Sequence, residues 1–177
     1  MKAVRALAVV LLVLLVSPSC GDPTQPQAPQ APQAPAPSTS LIGSLLGPTG
    51  LLKCSNLPYA SNTVTIGPLG GSISAGPHTL VVPAGALLSR TAITMTAPTG
   101  QGVNAVTFKP VGLRFLTPAA LTMSYSNCSL LGYLLPKQIA YTDDNLNIIS
   151  YLLSVDNLLT QKVTGKVNHF SEYAVAW

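Results

Sequence analysis

From Asn62 to Trp177 the apolar residues fall into short runs in which they return at every second position, and Gly, Pro or Asn interrupts each run. That period belongs to a strand, whose successive side chains point to opposite faces. "NTVTI" (62–66) alternates and "GPLGG" (67–71) is a turn. "HTLVVP" (78–83), "TAITMTAP" (91–98), "AVTFKP" (105–110) and "AALTMSYS" (119–126) follow. "QIAYTDDNLNIISYLL" (138–153) reads as a hairpin around Asp143-Asp144-Asn145. "KVTGKVNHF" (162–170) and "EYAVAW" (172–177) close the chain. No apolar stripe of helical period reaches ten residues in this region. Half-buried strands must cover their apolar face with a second sheet. The expectation is all-β: a single antiparallel β-sandwich of about eight to nine short strands.

The first 61 residues follow different rules. The chain is 47% hydrophobic and only 8% charged. Its one long apolar run is "ALAVVLLVLLV" (6–16), too short to span a bilayer that needs about 20 residues. Lys2 and Arg5 precede it and "SPSC" follows, so 1–19 reads as a secretory signal peptide. "SPSCGD" resembles a bacterial lipobox, whose cysteine is acylated and becomes the new N-terminus. Here that residue is Cys20. Ser17 and Ser19 stand where a typical box has Leu and then Ala or Gly. The other reading is ordinary secretion with cleavage nearby.

Residues 20–40 form a Pro/Gln/Ala-rich disordered spacer with an "APQ" repeat of period three, the residue count of a polyproline II turn. At about 3.1 Å per residue, fifteen residues reach about 45 Å. Such a segment holds a domain off a lipid surface, or offers a Pro-rich ligand. Residues 41–61 are an irregular, apolar, Gly-broken lead-in that docks on the domain.

Losing Lys2 and Arg5 lowers the formal net charge from +4 to +2. Arg90, Lys109, Arg114, Lys137, Lys162 and Lys166 are scattered without a basic run, and read as solvated faces. A nucleic-acid partner is not expected. Of the three cysteines, Cys54 and Cys128 remain once Cys20 is acylated. An exported chain favours a disulfide between them; two buried free thiols are the alternative. Neither has the His or acidic neighbours of a zinc site.

"GGSISAGPHTLVVPAGALLSRTAITMTAP" resembles the opening of the ZU-five module, the β-sandwich of zonula occludens proteins, netrin receptors and ankyrins. The matching positions are Gly70-Gly71, Leu80 to Val82, Pro83-Ala84-Gly85-Ala86 and Thr91 to Thr94. "FKPVGLRFLTPAALTMSY" resembles the module's next segment at Pro110, Gly112, Phe115, Pro118 and Leu121, and "HFSEYAVAW" its last strand. The resemblance covers 62–177. It implies protein binding, not catalysis. On this reading Pro83 ends a ladder, Gly85 makes a corner and Pro118 stands at the start of an edge strand.

Some relatives with "HFS" at this place cleave themselves. That implies His169, Phe170 and Ser171 as candidates for autoproteolysis. Ser171 Oγ would attack the Phe170 carbonyl carbon while His169 takes the hydroxyl proton. In one strand, residues two apart share a face. The reaction also needs a strained peptide and an oxyanion donor. The structural alternative makes Phe170 core and His169 a loop-fixing residue.

Asp143-Asp144-Asn145 reads as a turn, not a calcium loop. His78 after Pro77 reads as a surface residue. Phe115, Tyr173 and Trp177 read as core. No pattern for a cofactor or a metal is expected. The function expected is an exported, lipid-anchored, non-catalytic β-sandwich at the bacterial cell envelope, attached to the membrane through Cys20 and presented to an envelope or extracellular protein. Self-cleavage is the first alternative and carbohydrate binding the second.

Overall fold

A computed structural model describes residues 50–129 and 135–177. The signal, Cys20, the spacer and 41–49 lie outside the described residues. Among the described residues there are eleven strands and no helix. They are β1 Ala60–Ile66, β2 Gly71–Ala75, β3 His78–Val82, β4 Thr91–Ala97, β5 Ala105–Lys109, β6 Arg114–Ser124, β7 Gln138–Thr142, β8 Ile148–Tyr151, β9 Ser154–Asn157, β10 Lys162–His169 and β11 Glu172–Ala176. Two antiparallel sheets result, ordered β1-β4-β5-β11-β7-β8 and β2-β3-β6-β10-β9.

Alternation decides which side chains meet between the sheets. Ile93 and Met95 of β4, Val106 and Phe108 of β5, Ile139 of β7 and Tyr173 and Val175 of β11 point inward. They meet Ile73 of β2, Leu80 and Val82 of β3, Leu121 and Met123 of β6 and Val163 and Val167 of β10 in one buried cluster. Each large aliphatic or aromatic side chain so buried contributes about 1.5–3 kcal/mol. The outer faces carry the polar partners. Hydroxyl pairs tie neighbouring strands: Ser61 to Thr96 at 3.0 Å, Thr63 to Thr94 at 2.8 Å, Ser74 to Thr79 at 2.9 Å and Thr122 to Thr164 at 2.8 Å. Such pairs contribute roughly 0.2–1 kcal/mol each.

β11 is buried at all five positions, which explains why "EYAVA" does not alternate cleanly. Its outer face is covered too. Leu51 packs there on Ala105, Ala140, Ala174 and Ala176, with Val103, Leu146 and Ile148 around it. The alanines are small enough to let the lead-in lie flat on the sheet. The Leu52 N–H donates to the Val175 carbonyl at 2.9 Å, and Leu51 bridges to Ala176. Cys54 then joins Cys128 in a disulfide.

Polar contacts surround that disulfide. Asn104 and Asn127 exchange amide hydrogen bonds at 2.7 and 3.0 Å, and Asn104 also donates to the Ser124 carbonyl at 2.8 Å. The Ser129 N–H donates to the Lys53 carbonyl at 2.9 Å.

Three expectations need correction. β2 and β9 were not foreseen, because "GSISA" and "SVDN" each hold one large apolar residue. Pro118 is not at the start of an edge strand. It lies inside β6, a central strand between β3 and β10. It is tolerated because the β6–β10 register shifts beside it, between Val167 and His169, so no ladder bond needs its missing N–H. Lys137 is not on a solvated face; it is buried.

The Cys54–Cys128 bridge closes a loop over a sequence separation of 74. By loop entropy, changing both residues to Ser lowers unfolding free energy by about 4 kcal/mol, read from urea unfolding midpoints.

Candidate functional site

The sequence-derived candidates meet where the chain crosses between sheets. β10 ends at His169 in the five-stranded sheet and β11 begins at Glu172 in the six-stranded one. Phe170 and Ser171 are the crossing. His169 and Ser171 therefore do not share one strand, and strand period does not set them on one face. That corrects the expectation drawn from the "HFS" spacing.

Phe170 is buried between the layers. Its ring stacks on Phe108 with centroids 4.7 Å apart and meets Phe115 edge-on at 5.1 Å. Both of its backbone groups are held by the turn ahead of β6. The Phe170 N–H donates to the Leu113 carbonyl at 2.8 Å, and the Gly112 N–H donates to the Phe170 carbonyl at 3.0 Å. Gly112 has φ 77°, a left-handed conformation that glycine adopts without steric cost. The preceding carbonyl, of His169, accepts from the Tyr173 hydroxyl at 2.6 Å. Burial, with Tyr141 nearby, pushes the Tyr173 phenol well above its ordinary range, so it stays a donor. The His169 ring meets Tyr141 edge-on at 5.1 Å.

Self-cleavage needs a nucleophile, a base and an oxyanion donor. Ser171 stands next to the carbonyl, and Gly112 supplies one N–H to its oxygen. Among the described residues, no hydrogen bond joins the His169 ring or another base to the Ser171 hydroxyl.

His78 is a correction. It is buried, not on the surface. Gly76 and Pro77 take the turn, and His78 opens β3 opposite Ala75. Its Nδ1 accepts from the Ser124 N–H at 3.2 Å, and burial lowers its pKa to about 4. Asp143 builds the hairpin turn. One carboxylate oxygen accepts from the N–H groups of Asn145 and Asn147 at 2.9 and 2.8 Å, and the other from Asn147 Nδ2 at 2.9 Å. The Asn147 bonds, side-chain amide first, hold the carboxyl below the usual range. Phe115 and Tyr173 are core, and Trp177 packs against it half-buried.

Two polar clusters were not legible in the sequence. Tyr125 donates to Asp156 at 2.6 Å, whose other oxygen accepts from the Lys137 N–H at 2.9 Å. Lys137 Nζ lies 5.5 Å from the Tyr125 ring centre and donates to the Leu135 carbonyl. Burial lowers the Lys137 pKa against the opposing pull of Asp156. The second cluster centres on Glu172, which is buried between its cross-strand neighbours Thr107 and Thr142. Burial raises its carboxyl pKa, and Asp144 and Asp143 raise it further. Glu172 Oε1 and Thr142 Oγ1 are buried without a partner. Among the described residues, no three His, Cys, Asp or Glu side chains converge as a metal group.

The surface is divided. β1 and β2, the edge strands on one side, expose Ser61, Asn62, Thr63, Thr65, Gly71, Ser72 and Ser74, and the turn between them exposes Leu69. On the other side, β8, β9 and their turns expose Ile149, Tyr151, Leu153, Val155, Leu158 and Leu159. Exposed Tyr59 and Tyr151 stand at opposite ends of the six-stranded sheet and share no platform for a sugar ring.

Neither a protein-family model nor a curated protein matches the chain. The class defined by the fold is an all-β, disulfide-linked sandwich.

Two pH effects follow. The unfolded chain protonates His78 near 6.5 and the folded one near 4, so stability is full above pH 6.5 and is lost as pH falls toward 4. The total loss is about 3 kcal/mol, and His78→Asn flattens that slope in urea titrations run from pH 7 to 4. Glu172 has the opposite sign. Its raised pKa makes the folded state favour the neutral acid, so its contribution is present at low pH and lost as pH rises through the folded pKa. Glu172→Gln therefore gains thermal stability at pH 7 and gains none at pH 3.

Proposed function

We propose that this chain is an exported, lipid-anchored envelope protein that presents a non-catalytic, ZU-five-like β-sandwich to a protein partner. The observation that carries the binding role is the apolar side at β8 and β9. Monomeric sandwiches guard such edges with charge, proline or bulges. Here Leu153 is 85% exposed, Val155 74% and Leu159 97%, whereas on the opposite side the strands β1 and β2 expose only polar residues and Gly71, with Leu69 exposed in the turn between them. Large apolar residues left exposed along the β8 and β9 edges of the two sheets are suited to contact with another protein.

The disulfide is consistent with an oxidising compartment. The signal pattern and Cys20 support the anchor, and several acyl chains hold a protein durably, at about 0.8 kcal/mol per buried CH₂. The ZU-five reading is supported by Pro83, which follows the last residue of β3, by Gly85, which turns with φ 78° two residues later, and by Gly112 at φ 77°.

Self-cleavage at Phe170–Ser171 is a second reading, favoured by the Gly112 N–H at the Phe170 carbonyl. Carbohydrate binding is a third, without an aromatic platform to support it.

Two measurements test the proposal. Cys20→Ala moves the protein from the membrane to the soluble fraction; continued membrane attachment would refute the anchor. Mass spectrometry of the denatured mature chain gives one uncut species. A pair of fragments meeting at Phe170–Ser171 would establish the second reading instead, and Ser171→Ala would then abolish the cut.

A further inference from the structure

We infer that Glu172 is a proton-operated latch on the outer face of the six-stranded sheet. Its neutral acid holds the 98–103 loop and the β7–β8 turn against β11, and its ionised form lets them go. Register builds the site. Glu172 opens β11 with Thr107 of β5 on one side and Thr142 of β7 on the other. Strand period puts these three side chains on the face that carries Ala105, Ala140 and Ala174 two residues along. Glu172 is 7% exposed and Thr142 1%. Glu172 Oε1 and Thr142 Oγ1 are both buried there without a partner. Two segments close over the pair. The loop between β4 and β5 sends the Gln101 side chain to hydrogen-bond the Glu172 carboxyl, and the turn after β7 brings up Asp144 and Asp143.

Charge at this spot has one sign. The 98–103 loop holds no ionisable residue. Lys109, two residues beyond Thr107 in β5, and Lys53, bridged to Val103, are exposed, and no cation acts on the Glu172 carboxyl. Ionised, Glu172 is a buried charge without a counter-ion that faces two aspartates. The neutral acid removes the repulsion and gains an O–H donor. Cross-strand neighbours stand with Cβ atoms about 4.5–5.5 Å apart, so Thr142 Oγ1 is the acceptor within reach. One proton then satisfies both unpaired atoms. In the ionised form the Thr142 hydroxyl can donate instead, but the aspartates are still repelled.

The covering segments have joints. Gly100 and Gly102 flank Gln101 with φ 83° and 70°, and nothing lies within 4 Å of where a Cβ would stand on either. A swing at these two residues carries Gln101 off the carboxyl. The Gly102 N–H donates to Asn56 Oδ1 at 3.2 Å, and its carbonyl accepts from the Cys54 N–H at 2.8 Å, so the latch borders the lead-in. The β7–β8 turn keeps its hydrogen bonds within Asp143–Asn147 and can tilt as a unit. Burial first, then Asp144 and Asp143, raise the Glu172 pKa; the latch is shut below the folded pKa and opens as pH rises through it.

Amide hydrogen exchange of the mature chain carrying Cys20→Ser, corrected for intrinsic rates and run at low ionic strength between about pH 4.5 and 8, tests this. Protection at Gly102, Leu146 and Asn147 is expected to fall at least about tenfold as pH rises, while the amides of β3 do not follow. Global unfolding cannot imitate that result, because His78 weakens the whole sandwich in the opposite sense, toward acid. Glu172→Gln stays protected at every pH. Asp144→Asn, in the exposed part of the turn, moves the midpoint to lower pH. Protection that is flat with pH, or that falls equally in Glu172→Gln, overturns the inference. A midpoint that Asp144→Asn leaves in place overturns it too, and that variant keeps the test open should Glu172→Gln fail to fold.

Discussion

Phe170 has to be in two places at once. Its ring belongs to the core between the sheets, against Phe108 of one layer and Phe115 of the other. Its backbone is the step by which the chain leaves one sheet for the other. A crossing through the interior strands its peptide groups away from water, where an unmade hydrogen bond costs about 1–3 kcal/mol. The turn at 110–113 answers that need by giving the Phe170 N–H a carbonyl and its carbonyl an N–H. β10, β11 and the turn ahead of β6 are thereby locked into one arrangement, and the central strands of both sheets are aligned by a single residue.

The same economy shapes the outer face of the six-stranded sheet. Alanines at 105, 140, 174 and 176 leave a shallow floor, and Leu51 fills it. The domain therefore begins earlier than the alternating pattern suggests, with the lead-in serving as a cover strap. At the other end of that face Glu172 is buried too, with one carboxyl oxygen unpaired.

Most of the sandwich was legible in the sequence because exposed and buried residues alternate wherever one face is wet. β1, β3, β4, β5 and the β7–β8 hairpin show it directly. Legibility failed where the strand is short: β2 and β9 hold too few apolar residues to register, whereas β11 was read as a strand although both its faces are buried. Of the candidate site, the spacing of the "HFS" triplet suggested one continuous strand, but the triplet falls at the junction between the sheets. His78 was misread because Pro77 marks a turn without saying on which side of it the chain turns inward. Lys137, Tyr125 and Asp156 are far apart in sequence, and only the pairing of β9 beside β10 brings them together.

The position of Cys54 also has a mechanical meaning. Tension reaching the domain from its N-terminal side first meets Gly50 to Lys53, held to β11 and its neighbours by hydrogen bonds and packing that can be peeled one at a time. At Cys54 the load passes through a covalent link to Cys128, just beyond the end of β6. β6 lies in the middle of its sheet, so the force is delivered in shear along a strand flanked on both sides. β1, the next strand in sequence and an exposed edge, is bypassed. The bridge thus works as a clamp that shields an edge strand of the sandwich from whatever pulls on the chain.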